Sequence, residues 1–155
     1  MNRGEYMESK YEDIISFAMQ WEEDSANLYK EMIKLTKNPN VKAMFEEFEA
    51  EEEGHKAIID KLSKNKVTDL QLQNVTDLKI SDYLIDMTFR PDMDYQDILI
   101  IAMKREEKAV KMYTDMLAKV KDSEAQKLIQ FLIQEEAKHK LRLETEYDEN
   151  VLEEN

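Results

Sequence analysis

A repeat within the chain constrains its fold more than any other feature of the sequence. When the sequence is shifted by 84 residues, Tyr11–Leu62 aligns without a gap with Tyr95–Glu146, and 14 of these 52 positions are identical. The chain has only two histidines, His55 and His139, and they are partners in this alignment. Composition alone does not explain that coincidence, so we expect two copies of one structural unit.

Each copy is expected to form a helical hairpin. The chain of 155 residues has two glycines and two prolines and is 37% charged, which favours long helices over a many-stranded fold. Asn38 is a good N-cap before Pro39, and Asp122 before Ser123 marks the equivalent break. The predicted helices run roughly over residues 11–36, 39–62, 95–121 and 123–147.

A 31-residue segment, 63–93, joins the hairpins 11–62 and 95–147. So long a connection is unusual in a compact domain unless it travels along it, and residues 81–88 within it are expected to form a short helix. The second and third helices would then be parallel. The sequence thus predicts an all-α four-helix bundle with one crossover, a single domain over residues 1–150, an end that frays from Asp148, and a tail at 151–155.

The apolar face of each predicted helix is interrupted at its middle by a carboxylate, and on the second and fourth helices a histidine follows three residues later on the same face. Four buried carboxylates repel one another and need neutralising charge. Two divalent cations would supply it, and carboxylate oxygens mixed with imidazole favour iron or manganese. The predicted metal ligands are Glu22, Glu52, His55, Glu106, Glu136 and His139.

Several neighbouring residues compete for roles at this site. Glu51 and Glu135 lie four residues before the histidines and could share their face, but Glu52 and Glu136 are preferred because they continue the apolar stripes. The other nearby acids are interpreted as surface charge. Tyr29 and Tyr113 lie seven residues after a predicted ligand, where each either packs in the core or donates a hydrogen bond to a ligand carboxylate on a neighbouring helix.

Charge and composition exclude several other functions. A net charge of −13 disfavours nucleic acids and anionic membranes as partners. The absence of cysteine excludes disulfides, Cys-ligated zinc and a rubredoxin-type iron site within this chain. The first residues lack the apolar core of a signal peptide, and the longest apolar run, Ile98–Met103, is too short to span a bilayer. We therefore expect a cytoplasmic protein.

Two pairs of segments resemble the two halves of a rubrerythrin di-iron domain. They are Ala18–Tyr29 (AMQWEEDSANLY) with Glu51–His55 (EEEGH), and Ala102–Tyr113 (AMKREEKAVKMY) with Glu135–His139 (EEAKH). The resemblance implies a ferritin-like bundle that binds two iron ions, with manganese or a mixed pair as alternatives. It implies terminal carboxylates from Glu22 and Glu106, bridging carboxylates from Glu52 and Glu136, and one imidazole for each metal.

The chain departs from typical rubrerythrins in two respects. It has no cysteine for the usual C-terminal rubredoxin domain, and Ala109 stands where typical members carry an extra glutamate three residues after the third-helix ligand. In the family that glutamate takes part in a redox-linked exchange of ligands. Its absence argues against efficient peroxidase turnover and for a more symmetric site, closer in ligand count to bacterioferritin.

Three functional classes follow from these patterns. The first is a di-iron enzyme that reduces hydrogen peroxide or oxygen with an external electron donor such as a rubredoxin. The second is a ferroxidase or iron-handling protein without reductive turnover, and the third is an interaction bundle whose acids are solvated. A homodimer is expected, because bundles of this kind usually cover residual apolar surface by twofold pairing.

Overall fold

The computed structural model describes residues 3–64, 72, 74–84, 90 and 92–152. It contains four long helices: α1 (Arg3–Leu35), α2 (Pro39–Lys64), α3 (Tyr95–Lys119) and α4 (Ser123–Tyr147). A short 3₁₀ helix spans Ile80–Tyr83, and a π-helical turn spans Asp148–Leu152. No strand occurs among these residues, so the prediction of an all-α four-helix bundle is confirmed.

Polar caps begin three of the helices. The side chain of Asn38 accepts hydrogen bonds from the amides of Asn40 and Val41 at the start of α2, as predicted. Asp122 caps α4 in the same way. The start of α3 is fixed by Asp94, whose carboxylate accepts a hydrogen bond from the amide of Asp97 at 2.9 Å. Each cap satisfies amides that the helix itself leaves unpaired.

Two apolar clusters fill the ends of the bundle, and their membership shows how the helices run. One cluster combines the beginnings of α2 and α3, including Val41 and Leu99, with the end of α4. The other combines Ile15 near the start of α1 with Ile59 near the end of α2 and Leu128 near the start of α4. Helices α2 and α3 therefore point the same way, and the chain between them must travel the length of the bundle.

Several boundaries differ from the sequence-based expectation. Helix α1 begins at Arg3 rather than near Tyr11, and α3 ends at Lys119. In the crossover the short helix is limited to Ile80–Tyr83, Leu84 is extended, and residues 85–88 lie outside the described part of the chain.

The end of the chain does not fray at Asp148, contrary to expectation. The π-helical turn continues α4, and Val151, which is 6% exposed, packs in the same apolar cluster as Tyr147. Burial of that valine outweighs the acidic character of its neighbours. The packed domain therefore includes Val151, whereas residues 153–155 lie outside the described part.

Candidate metal centre

All six predicted ligands lie in the middle of the bundle, between the two apolar clusters. Each is at most 4% exposed, although four of them are carboxylates and two are imidazoles. Helix α1 supplies Glu22, α2 supplies Glu52 and His55, α3 supplies Glu106, and α4 supplies Glu136 and His139. The structure thus brings together the whole set that the sequence repeat predicts.

Their ligating atoms form two overlapping groups. In each group, four side chains offer one ligating atom apiece, and these atoms all lie within 4.8 Å of one another. Glu22 and His55 belong to one group only, which we call the His55 position. Glu106 and His139 belong to the other, the His139 position. Glu52 and Glu136 are members of both, which is the placement that bridging carboxylates require.

The two histidines point the same ring nitrogen at the carboxylates. Nδ1 of His55 lies 3.5 Å from Oε2 of Glu22 and 3.6 Å from an oxygen of both Glu52 and Glu136. Nδ1 of His139 lies 3.1 Å from Oε1 of Glu52 and 3.6 Å from Oε1 of Glu106. Both rings therefore present a nitrogen to a cation held between the carboxylates.

Many of these atoms are buried without a hydrogen-bond partner. They include Nδ1 of both histidines, both oxygens of Glu52 and Glu136, and one oxygen each of Glu22 and Glu106. Such atoms are costly unless something else satisfies them. A pair of metal ions would coordinate them directly, so the donor set fits the metal that the sequence predicts.

Crowding of the carboxylates perturbs their ionisation in opposite directions. Burial, with the charges of Glu106 and Glu52, raises the pKa of Glu136 well above its usual value. Burial also opposes ionisation of Glu52, yet the nearby imidazoles of His139 and His55 bring its pKa down to about 2. Burial would lower the pKa of His139, but the surrounding carboxylates, that of Glu106 first, raise it well above its usual value. Without metal, the site therefore retains protons.

Two buried tyrosines link the hairpins at this site. The hydroxyl of Tyr113 on α3 donates a hydrogen bond to Oε1 of Glu22 on α1 at 3.0 Å. Its repeat partner Tyr29 on α1 donates one to Oε1 of Glu106 on α3. Of the two roles considered from sequence, bonding to a carboxylate on a neighbouring helix is the one seen. Burial raises the pKa of both phenols well above their usual value, so both hydroxyls keep their protons.

Sequence reasoning missed the role of Glu51. The sequence identifies Glu51 only as a competitor for the ligand position of Glu52. In the structure its Oε2 lies 2.5 Å from Nε2 of His139, the ring nitrogen that faces away from the four predicted ligand carboxylates. Glu135 does not make the equivalent contact and instead pairs with Lys138. In the sequence, the only indication of a special role is that both copies of the repeat carry Glu at this position. The structure is needed to show that the two glutamates have different partners.

Trp21 and Arg105, which are partners in the repeat, contact each other beside the site. The guanidinium of Arg105 lies over the ring of Trp21 at 4.0 Å from its centroid. Nη2 of Arg105 also donates to Oγ of Ser25 at 3.3 Å. Trp21 and Arg105 each precede a predicted ligand, Glu22 and Glu106, so their contact joins α1 to α3 next to the carboxylates.

No described helix is apolar over enough of its length to cross a membrane.

Among solved structures, the fold is similar to that of a Pyrococcus furiosus protein described as hypothetical, with a TM-score of 0.63 and 25% sequence identity over 89% of this chain and 88% of that one. A search of curated proteins finds no match. The family model described as Rubrerythrin matches residues 13–147, a range that contains all six predicted ligands and both tyrosines. The chain belongs to the rubrerythrin family.

Proposed function

We propose that this protein is a di-iron redox enzyme that reduces hydrogen peroxide or oxygen to water. The observation that carries the proposal is the pair of overlapping four-ligand groups, which share Glu52 and Glu136. Two cations held in these groups would share Glu52 and Glu136 as ligands, as the ions of two-metal sites do. Membership of the rubrerythrin family supports iron as the metal, with manganese or a mixed pair as alternatives.

Charge balance supports two ions rather than one. Four ionised glutamates contribute four negative charges, and two divalent cations neutralise them, while neutral imidazoles add ligation without charge. One divalent ion would leave a net negative charge in a site whose carboxylates are at most 1% exposed. Uncompensated buried charge is strongly disfavoured, so full occupancy is the stable state.

The chain's own residues hold this centre in place. Two ferrous ions bound there would supply the two electrons that, with two protons, convert hydrogen peroxide to two molecules of water. Oxygen takes four electrons and four protons, so the external donor would supply the other two electrons. Tyr113 and Tyr29 orient Glu22 and Glu106 through their hydroxyls. The apolar clusters on either side keep bulk water from the carboxylates. Since the chain has no cysteine, electrons must come from an external donor, for which a rubredoxin is a suitable class.

A ferroxidase without reductive turnover is the second candidate, and Ala109 favours it. This residue is fully buried one turn after Glu106, where typical family members carry an additional glutamate. Without that carboxylate, the site has six predicted ligands, a number closer to that of bacterioferritin than to that of typical rubrerythrins. The homodimer and the cytoplasmic location expected from the sequence belong to the same proposal.

Reductive turnover distinguishes the two candidates. Iron-loaded protein is mixed with excess hydrogen peroxide, or with oxygen, and a chemically reduced rubredoxin, and oxidation of the donor is followed by absorbance. Many donor equivalents oxidised per protein would support the enzyme, whereas a single oxidation per bound iron followed by iron accumulation would support the ferroxidase. Glu52→Gln should abolish either activity. Glu46→Gln, an exposed change on the same helix, should leave it intact.

A further inference from the structure

In both predicted histidine ligands Nε2 is the outer ring nitrogen, the one that faces away from the ligand carboxylates. Its surroundings differ between His55 and His139, although the two histidines are repeat partners. Nε2 of His139 lies 2.5 Å from Oε2 of Glu51. An ionised carboxylate can only accept a hydrogen bond, so Nε2 carries a proton and Nδ1 is the nitrogen whose lone pair is offered when a metal displaces its proton. Glu51 therefore favours at His139 the tautomer and the ring orientation that a metal requires.

His55 has no such support among the residues that the structure describes. Glu135, the repeat partner of Glu51, pairs instead with Lys138 at 3.5 Å, one turn further along α4. No hydrogen bond to Nε2 of His55 is found in the described part of the chain. Among the described residues, therefore, no carboxylate favours one tautomer of His55 as Glu51 does for His139.

One sequence difference separates the surroundings of Glu135 from those of Glu51. The repeat partner of Lys138 is Gly54, which has no side chain to pair with Glu51. Glu51 is thus left available for His139 across the helix pair, whereas Glu135 is held by its neighbour on the same helix. A Cβ added at Gly54 would meet nothing within 4 Å, so this position accepts a side chain without a clash.

Aromatic packing adds to the difference. The ring of His139 stacks on Phe48, with centroids 4.1 Å apart and an interplanar angle of 21°. The repeat partner of Phe48 is Leu132, which offers no ring to His55. His55 instead meets Phe131 edge-on, with centroids 6.0 Å apart, and lies nearly parallel to the ring of His139 at 6.1 Å. The orientation of His139 is therefore restrained on its face as well as at its outer nitrogen.

We infer that the two metal positions are inequivalent, and that Glu51 acts as a positioning residue that makes the His139 position the first to fill and the tighter of the two. This inference rests on the proposed two-metal centre. A preorganised imidazole spends less free energy on ordering when the metal binds. Hydrogen-bond partners of ligand histidines are typically worth about 10–100-fold in metal affinity, and we expect a difference of that size between the two positions.

The test is a titration of metal-free protein with Co²⁺, followed by calorimetry and by visible absorption. The parent should bind two ions in resolved steps, and crystals grown with one equivalent should show anomalous scattering at the cobalt edge mainly at the His139 position. Glu51→Ala should weaken the first step about 10–100-fold. Glu51→Gln should restore part of that loss, because the amide oxygen still accepts from Nε2.

Repeat-matched variants provide the controls. Glu135→Ala should leave both steps unchanged, since Glu135 does not contact His55. Gly54→Lys should weaken the first step by drawing Glu51 away from His139, whereas Gly54→Ala should not. Circular dichroism confirms folding of each variant. Glu51 is a suitable target because 39% of its side chain is exposed.

The outcomes separate the two proposals. Absence of cobalt binding to the parent would overturn the metal centre and this inference together. Binding of two ions with equal affinity, or equal losses from Glu51→Ala and Glu135→Ala, would overturn the inference and leave the metal centre standing. Ordered filling that depends on Glu51 alone would support both.

Discussion

The hydroxyl of Tyr113 lies 3.0 Å from Oε1 of Glu22, which places a donor of one hairpin on a predicted ligand of the other. Tyr29 and Glu106 form the reciprocal pair. Because these bonds cross between α1 and α3 in both directions, the two halves of the repeat hold each other's carboxylates. The pairing therefore contributes both to the positions of the ligands and to the association of the hairpins.

Removing one phenol hydroxyl should destabilise the metal-free protein. Tyr113→Phe leaves a fully buried oxygen of Glu22 without its donor, and a lost bond to a charged group costs about 1–3 kcal/mol. Urea unfolding measures the change. Tyr95→Phe removes a partly exposed bond to Glu146 and should cost less. Equal losses of unfolding free energy in the two variants would show that the buried bond from Tyr113 to Glu22 stabilises the protein no more than the partly exposed one.

The metal-free protein should lose stability as pH rises from about 6 to about 8. Glu136 and His139 have folded-state pKa values raised above 4.5 and 6.5, so the native state binds more protons than the unfolded chain over this range. Their stabilising contribution is complete below those unfolded values and is lost as pH rises through the folded ones. Glu52 acts oppositely, but only as pH falls from 4.5 towards about 2.

Metal should reverse this dependence, because protons displace metal from carboxylates and imidazoles at low pH. Melting temperatures of chelator-treated and metal-loaded protein across the same pH range test both slopes, and chelation should lower the melting temperature. Glu136→Gln should flatten the curve of the metal-free protein. Identical curves before and after complete metal removal would be inconsistent with a cation in this site.

Replacing Ala109 with Glu should introduce ligand exchange. The new carboxylate would lie one turn beyond Glu106 on the same helix face. It should compete with His55 for a metal in the oxidised protein, since ferric ions favour oxygen ligands. The parent should keep both histidines in both oxidation states, with modest peroxide turnover.

Crystal structures of parent and variant in both states, with steady-state peroxide reduction, provide the measurement. Ala109→Gln is a control of similar size without the charge. Loss of His55 coordination on oxidation of the parent would show that the missing glutamate does not control the exchange.

The buried end of the chain should contribute measurably to stability. Val151→Asp exposes an apolar pocket and places a carboxylate in it, which should cost about 1.5–3 kcal/mol. The exposed neighbour Glu149 offers a control, and Glu149→Ala should cost little. Equal stability of the two variants by urea unfolding would indicate that residues 148–151 do not pack in solution.

The sequence predicts the bundle and its six central polar residues because the repeat and the helical spacing act locally. An i, i+3 pair such as Glu52 and His55 shares a helix face whatever the partner helix does. Contacts between helices are harder to predict. The bond from His139 to Glu51 rather than to a residue on α4 depends on how α2 and α4 pack, and burial of Val151 depends on space left at one end of the bundle.

The claim of a two-metal centre is tested most directly by anomalous scattering from crystals of iron-loaded protein, with data collected at the iron and manganese edges. We predict two peaks, one at the His55 position and one at the His139 position, with Glu52 and Glu136 coordinating both ions. Elemental analysis of the same preparation should find two metals for each chain. A single peak, or none, with the carboxylates protonated or hydrated instead, would contradict the account.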